Sequence, residues 1–151
     1  ALLGQPWGRD FSYGETMMTG DGLVGGVAAW GMTAGLATFA AAASFGPTRK
    51  LLGKVIPKPG TGPSEEKQQA GWFDLRFVGR TGSGQEIHTK VTGDADPGYG
   101  STAKMLGESA VAFLDRDHRA VGGGFWTPAS AFGDGLIERL ESHAGVRFDV
   151  L

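Results

Sequence analysis

The chain has 151 residues, and 14 Lys and Arg residues against 16 Asp and Glu residues give it a net charge of -2. This length is enough for one domain with its own core, and there is no basic excess to attract a nucleic acid. The absence of cysteine excludes disulfides, thiolate catalysis and cysteine metal sites, and it is compatible with the reducing cytoplasm.

Glycine is the unusual component of the sequence. It accounts for 27 of the 151 residues, more than twice its usual share of about 7%. The glycines follow no collagen period, so they indicate tight turns and close backbone packing. The chain starts at Ala1 without an initiator Met, so we expect a piece of a longer polypeptide. It also lacks the basic and apolar segments of a signal peptide at its start, which makes a signal peptide unexpected.

The first predicted elements are a leading strand region, 1–20, and an apolar helical region, 21–56. The strand is expected from Phe11 to Met18. No charged residue occurs from Leu23 to Phe45, and about 20 such residues can cross a bilayer. Because this run is mostly Ala and Gly, its transfer into lipid is only modestly favourable.

Three environments are open to the apolar run. It can be buried in the protein or at a subunit contact, lie at a membrane surface or face lipid, or span a membrane. A short basic amphipathic continuation follows, in which Arg49, Lys50 and Lys54 alternate with aliphatic residues.

A Pro/Gly linker, 57–70, with a polar stretch at its end, is expected to separate this helix from a sheet–helix core, 71–151. Apolar residues alternate with polar ones in Phe73–Phe77 and again in Ile87–Val91, which predicts an antiparallel hairpin with one buried face. A helix from about Ser101 to Leu114 should follow, then a polar loop at 115–119.

The C-terminal part is predicted to hold one more helix and a closing strand. Thr127 can cap a helix in which Pro128 takes the first position, and Phe132, Leu136 and Leu140 recur every four residues. Alternation at 146–150 indicates a strand. The fold class is therefore α+β: a mainly antiparallel sheet with helices on one face, plus the apolar helix rich in small residues, all in a single domain, 1–151.

The segment from Gly93 to Lys104 contains the candidate site. It is predicted to be a strand end, an acidic glycine turn and the first turn of a helix. Asp94 and Asp96 could form a carboxylate pair, but Pro97 breaks the strand and favours a turn-forming role for both.

The remaining candidate residues lie further along the same turn. Gly98 and Gly100 lend backbone freedom next to Ser101 and Thr102 at a helix N-terminus, which can bind an anion, although either hydroxyl could simply cap the helix. Tyr99 can donate a proton or pack over the sheet edge. Lys104 can pair with an anionic ligand, and an ion pair with Glu108 is the simpler alternative.

No metal site is predicted. His88, His118 and His143 are far apart in sequence, and none of them shows the spacing of a helical zinc site. The residues alone do not specify a reaction.

Four motifs, taken in order, resemble a known family. They are Gly60-Thr61-Gly62-Pro63-Ser64-Glu65, Gly71-Trp72-Phe73, the run from Val91 to Ala110, and Gly122-Gly123-Gly124-Phe125-Trp126-Thr127-Pro128-Ala129. Together they resemble the C-terminal half of the saccharopine-dehydrogenase-like oxidoreductases, in the branch of the trans-acting enoyl reductases.

The resemblance implies an N-terminal Rossmann domain that binds NAD(P) and is missing from this chain. This part would shape the substrate side of the cleft and, on its own, would bind no cofactor and catalyse nothing. The intact protein would transfer hydride to a carbon–carbon double bond of a hydrophobic acyl intermediate. Tyr99 would be the candidate catalytic acid. Asp94, Asp96, Gly98, Gly100, Ser101, Thr102 and Lys104 would face substrate and cofactor.

Two alternatives to a reductase domain remain open: a non-catalytic module associated with lipid or a membrane, and a structural domain for homodimerisation. The expected location is cytoplasmic or peripheral to a membrane.

Overall fold

The computed structural model describes residues 8–58, 60–114 and 124–151. In these ranges the elements follow in the order α1 (Gly22–Ser44), α2 (Gly46–Val55), α3 (Glu65–Gln69), β1 (Phe73–Arg80), β2 (Glu86–Gly93), α4 (Gly100–Ala112), α5 (Pro128–Phe132), α6 (Asp134–His143) and β3 (Val146–Val150). The predicted α+β class is confirmed.

The described residues divide into two compact units, one from Gly8 to Gly62 and the other from Pro63 to Leu151. The first unit contains α1 and α2, and the second contains the sheet and the remaining helices. Nothing tests the prediction of one domain over 1–151, which stays a prediction.

The predicted strand over 11–18 is wrong: residues 11–20 form no regular element. Among the described residues no strand pairs with this segment, so its backbone forms no ladder of hydrogen bonds with them. The backbone then turns at Gly20 and Gly22, where φ is +91° and +69°, and α1 begins.

Helix α1 confirms the apolar helix read from the sequence. It covers 23 residues without an acidic residue in its first turn or a basic one in its last. Within the described residues it is long and apolar enough, by length and composition, to cross a membrane. Helix α2 is the predicted basic continuation, with Pro47 in its first turn.

The sheet has three antiparallel strands in the order β1-β2-β3. The hairpin register pairs Leu75 with Val91, and β3 adds Phe148 on the other side of Val91. These three side chains therefore share one face of the sheet. The opposite face carries ion pairs, including Arg80 with Glu86 at 2.7 Å.

The core of the second unit lies where α4, α5 and α6 cover one end of the sheet. Its buried members include Ala112, Phe132, Leu136, Leu140 and Val146, with Phe73, Val91, Met105, Trp126 and Phe148 packed against them. Fully burying a leucine or phenylalanine contributes roughly 1.5–3 kcal/mol. This cluster therefore holds the sheet end and the helices together.

The C-terminal helix differs from its prediction. Thr127 does cap it, within a capping box shared with Ser130, and Pro128 takes the first position. The helix is not continuous, however, because Gly133 has φ +53° and ψ −134° and separates α5 from α6. The break leaves Phe132, Leu136 and Leu140 all buried in the core.

Two other regions can be compared with their predictions. The polar stretch at the end of the linker forms the short helix α3, whose first turn is capped by the Ser64 hydroxyl. The predicted polar loop at 115–119, and His118 within it, lie outside the described residues.

Candidate functional site

The candidate site begins where β2 ends. Gly93 is the last residue of β2 and pairs with Phe73 on one side and Val146 on the other. A Cβ at Gly93 would come within 2.0 Å of the Phe73 ring, so only glycine leaves room for that ring. The chain therefore leaves the sheet at a point fixed by the packing of an aromatic side chain.

Asp96 organises the turn that follows. Its carboxylate accepts a hydrogen bond from the Tyr99 backbone N–H at 2.7 Å. Its own N–H donates to the Gln68 carbonyl at 2.8 Å, and its carbonyl accepts from the Ser101 N–H at 2.9 Å. A Cβ at Gly71 would lie 2.5 Å from the Asp96 backbone, so the chain after α3 packs closely on the turn. The sequence-based expectation of a turn-forming role for Asp96 agrees with these contacts.

Asp94 occupies a more open position. Its N–H donates to the Gly145 carbonyl at 3.2 Å, and its carboxylate accepts a hydrogen bond from Lys104 at 2.9 Å. The two side chains of this ion pair are 60% and 43% exposed. A carboxylate and an ammonium group therefore lie side by side at the surface, where a ligand can reach both.

The predicted pairing of Lys104 with Glu108 is wrong. Lys104 binds Asp94 instead, ten residues earlier in the chain, because the turn folds the strand end back alongside the first turn of α4. Glu108 pairs with Arg139 of α6 at 2.8 Å, and both side chains are largely shielded from solvent. The two acidic residues thus serve different elements: Asp94 the turn and Glu108 the contact between α4 and α6.

The two hydroxyl residues do not cap α4. Tyr99 is the N-cap residue and makes no side-chain capping bond. Ser101 is fully buried, and its hydroxyl donates to the Ala95 carbonyl. The Thr102 hydroxyl donates to the Pro97 carbonyl at 2.6 Å. Both hydroxyls hold the turn against the helix, and for Ser101 to touch a ligand the turn would have to open.

Tyr99 is the residue of the turn best placed to meet a ligand. Its side chain is 55% exposed, and its hydroxyl makes no hydrogen bond with any residue that the structure describes. Its backbone N–H is held by Asp96 and its carbonyl by the Ala103 N–H at 2.8 Å. The backbone is therefore fixed on both sides while the phenol extends from the surface.

The turn thus combines three accessible groups: the Tyr99 phenol, the Lys104 ammonium and the Asp94 carboxylate. Chemically, such a set can donate a proton or hydrogen bond and attract an anionic group. The described residues contain no cluster of three or more His, Asp and Glu side chains that could hold a metal ion. His88 pairs with Glu86, and His143 lies in the last turn of α6.

Sequence reasoning missed two neighbours of the turn, Gln68 and Gly145. Both act through their backbone carbonyls, for which no side-chain pattern gives a signal. Gly145 could have been suspected from its place as a helix stop. Its φ is +66°, and a Cβ there would come within 2.2 Å of the Asp94 carboxylate.

Comparison with known proteins finds relatives along almost the whole chain. A Mycobacterium tuberculosis protein provisionally named a trans-acting enoyl reductase is 39% identical over 150 residues, covering 97% of this chain and 36% of that protein. A Mycobacterium bovis protein named trans-acting enoyl reductase is 37% identical over 97% of this chain and 35% of its own length. A Mycobacterium ulcerans protein of the same name is 35% identical over 93% of this chain and 34% of its own length.

The chain therefore spans about a third of the length of the curated relatives it matches. No family model matches it, and no solved structure matches it significantly.

Proposed function

We propose that this chain is the substrate-side part of an NAD(P)-dependent reductase that reduces the carbon–carbon double bond of an acyl lipid intermediate. The observation that carries the proposal is the 35–39% identity, over nearly the whole chain, to proteins named trans-acting enoyl reductase. The saccharopine-dehydrogenase-like architecture, with a Rossmann domain preceding this part, belongs to the same proposal.

The residues present here do not fit a dinucleotide. A Rossmann site needs parallel strands joined by a helix and a glycine-rich turn between them, whereas the sheet described here is wholly antiparallel. The glycines at 98 and 100 also lack the spacing of the dinucleotide fingerprint. The proposal therefore assigns cofactor binding to the part of the full-length protein that this chain does not cover, which in the relatives is about two thirds of the length.

This chain would contribute the proton and the binding of the acyl group. Saturating a double bond next to a carbonyl requires one hydride and one proton, and the cofactor supplies only the hydride. The Tyr99 hydroxyl is exposed and unbonded within the described residues, so it can donate a hydrogen bond to the acyl carbonyl or a proton to the neighbouring carbon. Because the side chain is exposed, water can return the proton afterwards.

Lys104 and Asp94 would orient the substrate beside Tyr99. In the proposed complex the ammonium group of Lys104 attracts an anionic part of the substrate or its carrier. Asp94 holds the Lys104 side chain extended across the turn through their ion pair. Ser101 and Asp96 contribute indirectly, because their hydrogen bonds fix the turn on which Tyr99 stands.

The test uses the full-length protein that contains this chain. The protein is mixed with NADH or NADPH and a 2-enoyl thioester. Oxidation of the cofactor is followed over time, and the mass of the acyl product is measured. We expect cofactor oxidation matched by a saturated product, no oxidation with the saturated thioester as control, and no activity from the 151-residue chain alone. Failure to reduce any enoyl thioester with either cofactor would refute the proposal.

A further inference from the structure

Helix α1 leaves an apolar surface uncovered around its whole circumference. Among its described residues only Gly25 is buried, while Leu23, Trp30 and Leu36 are 89%, 77% and 72% exposed. At 100° per residue, Leu23 and Trp30 lie on one side of the helix and Leu36 on the opposite side. A partner helix docked on one side would therefore leave the other side in water.

The dimensions and polar groups of α1 suit a lipid environment. Its 23 residues extend about 34 Å, close to the roughly 30 Å of a bilayer's hydrocarbon core. The hydroxyls of Thr33 and Ser44 donate to carbonyls four residues earlier in the same helix, so neither needs a partner from solvent. A core helix of a soluble protein can match this length and composition, whereas within this chain α1 is almost entirely uncovered.

Helix α2 adds a cationic surface beside α1. The helical spacing places Leu51, Leu52 and Val55 on one side of α2, with Arg49 and Lys54 about 110° away on either flank. Leu51 and Val55 are 64% and 79% exposed. An apolar stripe between long basic side chains is the pattern of a helix that lies in the headgroup region of a membrane.

The charge of this region is opposite to that of the chain as a whole. Four cations, at 49, 50, 54 and 58, occur between Asp21 and Glu65 without one acidic residue. In the part of the chain that the structure describes, none of the four forms a salt bridge. A local charge of about +4 on a protein of net charge -2 is complementary to an anionic surface.

A cavity between α1 and α2 combines both chemistries. It has a volume of about 310 Å³ and is lined by apolar groups of Phe39, Ala43, Leu52 and Ile56 together with the cations Arg49 and Lys58. An acyl chain matches the apolar lining, and a phosphate matches the two cations. Anionic phospholipid carries both groups in one molecule.

We infer that α1 and α2 anchor this protein to an anionic lipid bilayer, with α1 among the acyl chains and the basic side chains of α2 at the phosphates. This inference uses no residue of the turn at 93–104, and it places α1 among the acyl chains of one leaflet, so that the part of the protein preceding α1 and the turn stay on the same side of the membrane. A second copy of the chain, or the part of the full-length protein that lies outside this chain, would be the competing occupant of α1, and the experiments below separate these occupants from lipid.

The binding test uses the full-length protein that contains this chain, sedimented with vesicles. Vesicles of phosphatidylcholine alone are compared with vesicles that contain about one third phosphatidylglycerol, at low and high salt. The double variant Lys50→Gln/Lys54→Gln should weaken binding to the anionic vesicles on the order of thirtyfold, because each basic residue near such a surface contributes about fivefold. The control Lys67→Gln/Arg147→Gln removes two exposed charges elsewhere and should change binding less than twofold.

Insertion is tested separately by tryptophan quenching. Lipids brominated on their acyl chains should quench the fluorescence of Trp30, so the quenched component should disappear in Trp30→Phe and persist in Trp72→Phe. The inference is overturned if anionic vesicles bind no protein, if the two double variants bind equally, or if Trp30 is not quenched. A concentration-dependent dimer that binds no vesicle would show that α1 contacts a second copy of the chain, and this result would also overturn the inference.

Discussion

Replacing Asp96 and Asp94 one at a time tests whether the turn is held as the contacts indicate. Asp96→Ala removes the 2.7 Å charge-assisted hydrogen bond to the Tyr99 N–H, and such bonds contribute about 1.5–3 kcal/mol. Water can reach the freed N–H because Tyr99 is 55% exposed. We therefore expect the free energy of unfolding to fall by about 1.5 kcal/mol, the lower end of that range. The variant should therefore be clearly less stable than the parent chain.

Asp94→Ala is the matched control. It removes an ion pair whose side chains are 60% and 43% exposed, and exposed pairs contribute roughly 0.2–1 kcal/mol. Because both side chains are exposed to solvent, we expect Asp94→Ala to lower the free energy of unfolding by less than about 0.5 kcal/mol. The two aspartates are only two residues apart, so the difference between the variants isolates the role of the hydrogen bond.

The assay is urea unfolding of the 151-residue chain, followed by tryptophan fluorescence in a mild non-ionic detergent that covers α1. With a urea dependence of about 1.5 kcal/mol per molar, Asp96→Ala should lower the midpoint by about 1 M. Asp94→Ala should lower it by less than about 0.3 M. Equal shifts, or a larger shift for Asp94→Ala, would show that Asp96 does not organise the turn.

Two further predictions concern the packing around the site. Ser101→Ala removes a fully buried hydroxyl bonded to the Ala95 carbonyl, and it should destabilise the chain by about 1–2 kcal/mol in the same urea assay; an unchanged midpoint would contradict the bond. Gly133→Ala places a side chain at φ +53° and should lower the free energy of unfolding by about 1–2 kcal/mol. Gly107→Ala, inside α4, should instead raise the free energy of unfolding, by at most about 1 kcal/mol. Neither new Cβ meets another atom within 4 Å, so a shift of the same sign in both variants would contradict a purely backbone effect.

The sequence predicted those elements whose stabilising interactions lie close together in the chain. The alternation in β1 and β2 requires only neighbouring residues, and the strands indeed begin and end near the predicted bounds. The same holds for the cap at Thr127, whose partner Ser130 is three residues away. Helix α1 was predictable from its lack of charge alone.

Predictions that depended on distant partners were wrong. The segment 11–18 has a strand-like composition, but no strand that the structure describes lies beside it, and a strand requires a partner. The pairing of Lys104 with Glu108 was expected from their spacing, yet the fold offers Lys104 a carboxylate at Asp94 and offers Glu108 the guanidinium of Arg139. Which pair forms depends on how the turn folds back on α4 and on how α4 packs against α6, and neither is encoded within one helical turn.

The candidate site was recognisable as a turn, but the roles of its residues were not. The local pattern shows which residues can accept or donate hydrogen bonds, and Asp96 does accept one. It does not show that Ser101 becomes buried while Tyr99 stays exposed. That difference arises from the packing of residues 68–71 and Gly145 against the turn.

The measurement that tests the account most directly compares two tyrosine variants of the full-length protein. The chain has two tyrosines, and Tyr13 is the control because its hydroxyl donates to the Glu15 carboxylate at 2.8 Å. That hydrogen bond raises the pKa of Tyr13, and Tyr13 lies outside the turn at 93–104. Tyr99→Phe should lower kcat for enoyl reduction by about a hundredfold without changing the circular dichroism spectrum, and Tyr13→Phe should leave kcat unaltered. Full turnover in Tyr99→Phe would contradict the assignment of Tyr99 as the proton donor.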